Sequence, residues 1–217
     1  MGTINGNIII VSRTRMRDNN VCVGAIDIDN HESIRLLDPS GYHENQNTCP
    51  YNIKDYWNIS YEYKNVRPYP HSEYVIVLKR NKIIDKSIQD ISELIDIIKD
   101  NNIPFYTENL MNIFESTLQV SDSFLSADVF FVAKNNVPKF STCFYIANQN
   151  LFKFIDKTRN GKIYYMYGMY KIPYVGTNLK TPEIISSGTL LRLSLANWWS
   201  PNKDIAPRCY LQLSGWF

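Results

Sequence analysis

Excess charge of either sign is what this sequence has least of. Its 23 Lys and Arg face 21 Asp and Glu, which leaves a formal net charge of +2. The sequence pI of about 8.2 lies below the ~9 typical of a domain that is basic all over. A broad basic surface is therefore excluded, and a local basic patch is not. Histidine is also scarce. His31, His43 and His71 are scattered, and none sits in H-E-x-x-H or beside a spaced cysteine pair, so no zinc ligand set is expected. The four cysteines, Cys22, Cys49, Cys143 and Cys209, include no C-x-x-C pair. Three of them lie in apolar, strand-like runs and read as small reduced core residues. No G-x-S-x-G elbow is present, and no glycine-rich loop opens a helix after a strand, so neither a serine nucleophile of that type nor a bound nucleotide cofactor is indicated. There is no long uncharged apolar run and no basic-then-apolar leader. A soluble, cytoplasmic chain with no membrane partner and no cofactor is the expectation.

What the sequence does have is apolar alternation and tyrosine. Hydrophobic residues make up 44% and aromatics 13%, with 15 Tyr, which suits a β-rich chain with stacking surfaces. Five strands are predicted in the first part: Asn7–Met16, Val21–Ile28, Ser33–Asp38, Tyr56–Lys64 and His71–Arg80. Turn residues such as Asp18-Asn19-Asn20 separate them, and Gly24 marks a bulge or sharp coil. A long polar loop, Pro39–Asp55, lies between the third and fourth. Five short strands of this kind fit a small closed barrel, which leaves no long edge unpaired. Ile88, Ile91, Leu94, Ile95 and Ile98 then recur at helical spacing, with Ser87 as cap. Leu110, Ile113, Phe114 and Leu118 suggest a second helix from Thr107. Strands return at Ala127–Lys134, Ser141–Asn148, Leu151–Lys157 and Lys162–Pro173. The last stretch, Gly188–Phe217, reads as two alternating runs around a turn, ending on Trp216-Phe217, and is expected to be a hairpin docked within a sheet. The fold class is thus mainly β with a helical bridge: two small OB-like or SH3-like β-barrels packed into one unit. The barrels would span 1–84 and 121–217, with the bridge at 85–120.

Two patterns carry chemistry. Asp55, Glu62 and Lys64 resemble the acidic residue and E-x-K of a metal-dependent nuclease, which requires carboxylates converging on one ion. Such short patterns also arise by chance in charged strands. The stronger pattern joins arginine to aromatics on strands. Arg13 and Arg15 are two apart, on the face of Ile9 and Val11. Arg17 opens the turn and Arg35 lies on the third strand. Arg192 and Arg208 lie on the last two, with Trp198, Trp199 and Tyr210 nearby. Guanidinium forks match phosphate oxygens, and rings stack on bases of any sequence. The plain alternative is that the arginines solvate outer faces and the tryptophans plug a core.

IVSRTRMRDNNVCVGAID with SIRLL, together with LRLSLANWWSP and RCYLQLSGWF, resembles the two ends of the bacterial dual-OB domain family. The resemblance implies two OB-like barrels in one chain that bind nucleic acid in a prokaryotic conflict setting. With no acid–base or metal constellation in the sequence, the expected function is non-catalytic binding of single-stranded or distorted DNA or RNA through the strand-borne arginines and aromatics. It places Ser12, Arg13, Thr14 and Arg15 in the first motif and Arg35 in the second. Arg192, Trp198, Trp199, Arg208, Tyr210 and Trp216 fall in the C-terminal pair. One departure stands out: an ordinary OB barrel has its helix between strands three and four, where this chain has the loop Pro39–Asp55. The alternatives are a protein-interaction or nucleotide-sensing module of a defence complex, and the nuclease on Asp55, Glu62 and Lys64.

Overall fold

The structure is a computed structural model that describes residues 2–64, 69–121, 129–200 and 202–217. The chain divides into two compact units: Met1–Pro68 with Ser72–Phe105, and Tyr69–His71 with Tyr106–Phe217.

The first unit is a closed barrel of five strands: β1 Ile4–Arg15, β2 Asn20–Asp27, β3 Glu32–Leu37, β4 Asp55–Tyr63 and β5 Tyr74–Ser87. The strand expected to stop at Arg80 runs on to Ser87. Round the barrel the order is β1-β2-β3-β5-β4 and back to β1. All pairings are antiparallel except β3–β5, where Arg35, Leu36 and Leu37 face Tyr74, Val75 and Ile76 in parallel. This is the order of an OB barrel, and closure leaves no continuous free edge. Ile8, Ile10, Val21, Val23, Ala25, Ile34, Leu36, Ile59, Val75 and Val77 fill the interior, as period-two alternation requires.

A buried carboxylate fixes one end of this barrel. Asp27 accepts hydrogen bonds from the backbone N–H groups of Asp29 and Asn30 and from the hydroxyl of Tyr61 (2.9 Å). Glu32 Oε1 lies 3.0 Å from the same Tyr61 hydroxyl, which it shares with Asp27, and accepts from the Tyr63 hydroxyl. Gly6 is required beside this cluster, because an added Cβ would run into the Asp27 carboxylate.

One expectation about faces changes here. The register between β1 and β2 shifts between Ile10 and Ser12, so that Val11 is an extra residue and Ser12 faces Gly24. Beyond this bulge Arg13 lies opposite Val23, and Arg15 opposite Val21. Directly opposed residues share a face, and both valines belong to the interior. Arg13 and Arg15 therefore turn toward the mouth of the barrel, away from the face of Ile9 on which the plain alternation put them.

The helix α1, Ile91–Asp100, follows β5. Its N-cap is Asp90 rather than Ser87. The Asp90 side chain accepts from the Ser92 N–H at 2.8 Å, and this bond holds its carboxyl below the usual range. Leu94 and Ile98 are buried, and Tyr56 on β4 donates to Glu93.

The second expected helix is reduced to two short, kinked turns. Leu110–Asn112 is a short 3-10 turn, and in Ile113–Ser116 the residues Phe114, Glu115 and Ser116 have φ of 53°, 58° and 59°. Leu110, Ile113, Phe114 and Leu118 are nevertheless buried. Side chains that bond to local backbone compete with the helix: Asn109 accepts from Met111 N–H, and Thr117 donates to the Phe114 carbonyl.

The second unit contains β6 Phe130–Ala133, β7 Thr142–Ile146, β8 Leu151–Asp156, β9 Lys162–Tyr167, β10 Tyr170–Pro173, β11 Leu190–Leu195 and β12 Arg208–Trp216. Part of the strand expected over Ala127–Lys134 lies outside the described residues. The expected strand Lys162–Pro173 is split into β9 and β10 by a two-residue turn at Gly168-Met169, where Gly168 has φ +60°. One sheet runs β7-β11-β12-β6, so β11 and β12 form a central hairpin, as expected for Gly188–Phe217. The other runs β10-β9-β8 and ends on Ile184–Ile185. The two sheets curl toward each other. Tyr174, directly after β10, bridges in parallel to Leu213 of β12, and Ile185, shortly before β11, pairs with Leu151 of β8. Followed round, β8-β9-β10-β12-β11 repeats the strand order of the first unit. Cys143, Tyr165, Ile172, Leu191, Leu193, Leu211 and Leu213 lie in its core. All four cysteines are free thiols; Cys49 alone is not fully buried.

Trp216 packs its ring 5.1 Å from Tyr174 and 5.9 Å from Tyr165. Trp216→Ala is expected to lower stability by about 3 kcal/mol in urea unfolding. Ser116→Gly is expected to raise it by about 1 kcal/mol, since a left-handed conformation costs an L-residue roughly this much.

Candidate nucleic-acid interface

The sequence-predicted residues fall into a buried set and an exposed set. Arg35 is 9% exposed. Its Nε lies 3.2 Å from Glu73 Oε1, its Cζ 5.5 Å from the Tyr74 ring, and it donates to Cys22 Sγ. Cys22, Ile26 and Leu37, which share the outer face of β2 and β3 with it, are buried too. Arg192 is 1% exposed and stands over the Phe144 ring at 5.1 Å. Burial pushes the neighbouring Cys143 thiol up, and the Arg192 charge opposes this. Both arginines are thus core cations, contrary to their expected place on a binding surface. The physical reason is that central strands of these sheets are covered on both faces, so a polar residue in the alternation does not mark solvent.

The exposed set begins with the β1–β2 hairpin. Arg15 and Arg17 are exposed, and Arg13 is half-buried and donates to Asn52 Oδ1 at 3.4 Å. The turn Arg17–Asn20 is held by Asn20 N–H on the Arg17 carbonyl, with Asp18 and Asn19 at φ of 58° and 55°.

In the second unit, Trp199, Arg208 and Tyr210 are brought together. Trp199 is 53% exposed, its ring lies 5.8 Å from that of Tyr210, and its backbone pairs with Arg208. The Arg208 guanidinium stacks 3.9 Å from the centre of the Phe131 ring, which is itself 6.3 Å from Tyr210. Trp198 is half-buried, donates to the Tyr69 carbonyl and has Lys134 Nζ 5.9 Å from its ring.

A third group was not anticipated. On the outer face of β8 and β9, Phe152 is 53% and Phe154 40% exposed, with Ile184 beside Phe152. Phe154 faces Tyr164 across the strands, the rings 6.4 Å apart. Lys171 on β10 sets its ammonium 5.3 Å from the Phe154 ring and 5.7 Å from Tyr164, and Lys162 stands 5.4 Å from Tyr164. The hairpin joining β8 to β9 adds Lys157 and Arg159, both exposed. The sequence signal was Phe152-Lys153-Phe154-Ile155, a strand with no polar face. It could be read as a strand, but which face is left uncovered is decided by the rest of the sheet. Lys153 in fact points to the other side, where it pairs with Glu183 at 2.8 Å.

The nuclease pattern does not converge. Asp55 and Glu62 stand seven residues apart on β4 and so project to opposite faces. Asp55 pairs with Lys82, Glu62 accepts from Thr3, and Lys64 donates to the Gly41 carbonyl. Among the described residues no three His, Cys, Asp or Glu are grouped to hold a metal, and no helix is long and apolar enough to cross a membrane.

Removing Arg35 takes away the cation beside Glu73, and removing Arg192 empties a volume that is fully buried against Phe144. Arg35→Ala and Arg192→Ala are each expected to cost about 3 kcal/mol in urea unfolding. Arg15→Ala and Arg17→Ala are expected to stay within about 0.5 kcal/mol of the parent.

The family model of the dual OB-containing domain matches residues 7–216. No curated protein and no solved structure matches the chain.

Proposed function

We propose, for a chain that belongs to the dual OB-containing domain family, that its second unit binds single-stranded nucleic acid without catalysis and with little sequence preference. The observation that carries this reading is the open face of β8 and β9. Phe152 and Phe154 stand exposed, and one lysine, Lys171, sits against both the Phe154 and Tyr164 rings. Rings that stack on any base, with cations among them for the phosphates, are what a single strand requires. An exposed apolar face without cations would fit a protein partner better.

Position supports the same reading. OB barrels bind oligonucleotides on the face of strands two and three and on the loops joining strands one to two and four to five. In the second unit those are β9 and β10, the hairpin with Lys157 and Arg159, and the connection that carries Trp198 and Trp199. Lys162, Tyr164 and Lys171 lie at the first of these places, Lys157 and Arg159 at the second, and Trp198 and Trp199 at the third, while Phe152 and Phe154 stand on the adjoining β8. In the first unit the corresponding strand face is buried, with Arg35 inside it. The work is assigned to the cytoplasm and to a prokaryotic defence complex, the setting that the resemblance implies, with nucleic acid as ligand and a protein of that complex as further partner.

Fluorescence anisotropy with labelled single-stranded DNA and RNA at several salt concentrations tests the reading. Phe154→Ala and Trp199→Ala are expected to cost ~1–3 kcal/mol each with the salt slope unchanged, because stacking is not screened. Lys171→Gln is expected to flatten the slope by about 0.7. The probe is expected to stay intact with magnesium or manganese present. No binding at low salt sinks the reading, and cleavage that Glu62→Ala abolishes would reverse its non-catalytic part.

A further inference from the structure

We propose that the first unit grips duplex nucleic acid at the mouth of its barrel, so that the ligand of the whole chain is a duplex with a single-stranded tail. The inference rests on the single-strand reading of the second unit and adds a different chemistry in the first. The bulge at Val11 turns Arg13 and Arg15 to the barrel mouth, and Arg17 follows at the hairpin tip. Arg80 arrives at the same end. It faces the core residue Ile59, lies over the Tyr51 ring at 5.3 Å and pairs with Glu44. Glu44 is itself opposite Val21 beside the hairpin turn, and its charge is taken up by Arg80.

Amide-bearing residues are set along the rim by backbone pairing, and one of them, Asn52, uses its side chain. Asn20 pairs with Asn45, the Gln46 N–H bonds the Asn19 carbonyl, and Asn52 receives Arg13. Ser12–Ala25 contains no aromatic residue, and in the facing stretch Glu44–Asp55 the one ring, Tyr51, is buried.

These two lacks and gains point one way. Without an exposed ring, an unstacked base gains nothing here. Guanidinium forks and amides instead suit phosphates and groove edges of bases that remain stacked in a duplex, and the tip of the β1–β2 hairpin presents them together. The second unit offers the reverse, rings for bases that are already unstacked. Joined in one chain, the two sites raise each other's effective concentration on a ligand that offers both forms.

The test uses the full chain and three labelled probes: an oligothymidine of about 15 nucleotides, near the upper end of a single OB site, a blunt duplex of similar length, and that duplex carrying the oligothymidine as a tail. The tailed duplex is expected to bind at least about 10-fold tighter than the tail alone. The double variant Arg15→Gln/Arg17→Gln is expected to remove this gain and flatten the salt slope on the tailed duplex by about two units, with binding of the tail unchanged. Phe154→Ala is expected to weaken the tail and the tailed duplex alike and to leave the blunt duplex untouched. The inference is overturned if the tail binds and the tailed duplex binds no tighter, or if the double variant matches the parent on every probe. Absence of tail binding contradicts the proposed function instead. In that case loss of blunt-duplex binding in the double variant still supports the first unit's role, and its persistence rejects it.

Discussion

Closure of a short sheet on itself is the constraint on which the rest of this structure depends. A strand edge exposes unpaired N–H and C=O groups, and five strands of this length can satisfy them only by curling until the first meets the last. In the first unit this brings β1 against both β2 and β4 and forces one parallel pairing, β3 with β5. The interior is then apolar by necessity. The outer surface is the part left to vary, and the two units vary it in opposite ways. The first covers its β2–β3 face and encloses Arg35 with Glu73 and Tyr74. The second leaves the outer face of β8 open beside its β9–β10 strands, with Phe152 and Phe154 on display.

Under the proposed reading, local placement of charge is what would let a chain with almost no net charge address a polyanion. The cations are not spread. Lys171, Lys162 and Arg208 each stand on an aromatic ring, where the ring quadrupole favours the charge and the stem of the side chain covers apolar surface. Several of the acids lie elsewhere or are already engaged: Glu44 with Arg80, Asp55 with Lys82, Glu183 with Lys153. Local pairing, and not overall composition, sets the sign of each patch.

Much of this was legible in the sequence, for reasons that also mark where legibility ended. The strands of the first barrel followed from alternation and from turns such as Asp18-Asn19, because both are local. The bulge at Val11 was not legible: an extra residue in a strand leaves no trace in composition, and Gly24 on the facing strand was the sole hint. The apolar spacing of Leu110, Ile113, Phe114 and Leu118 marks burial but overstates the helix, which is cut to two short turns where asparagine and threonine side chains hold the backbone. Trp199, Arg208 and Tyr210 were recognised and do meet. Arg35 and Arg192 were placed on a surface, although their strands are covered on both sides. Phe152 and Phe154 carry no such signal, because exposure of one face of an apolar strand depends on which neighbours the sheet supplies.

The central claim is that the second unit's open face and the connection before β12 hold the ligand, and that the β2–β3 face of the first unit does not. Hydrogen–deuterium exchange with and without saturating single-stranded oligothymidine tests this directly. The account predicts slowed exchange within Leu151–Pro173 and Ala196–Tyr210, and unchanged exchange across Cys22–Ile26 and Ser33–Leu37. Protection confined to those first-unit strands, with β8 to β10 unaffected, would contradict it.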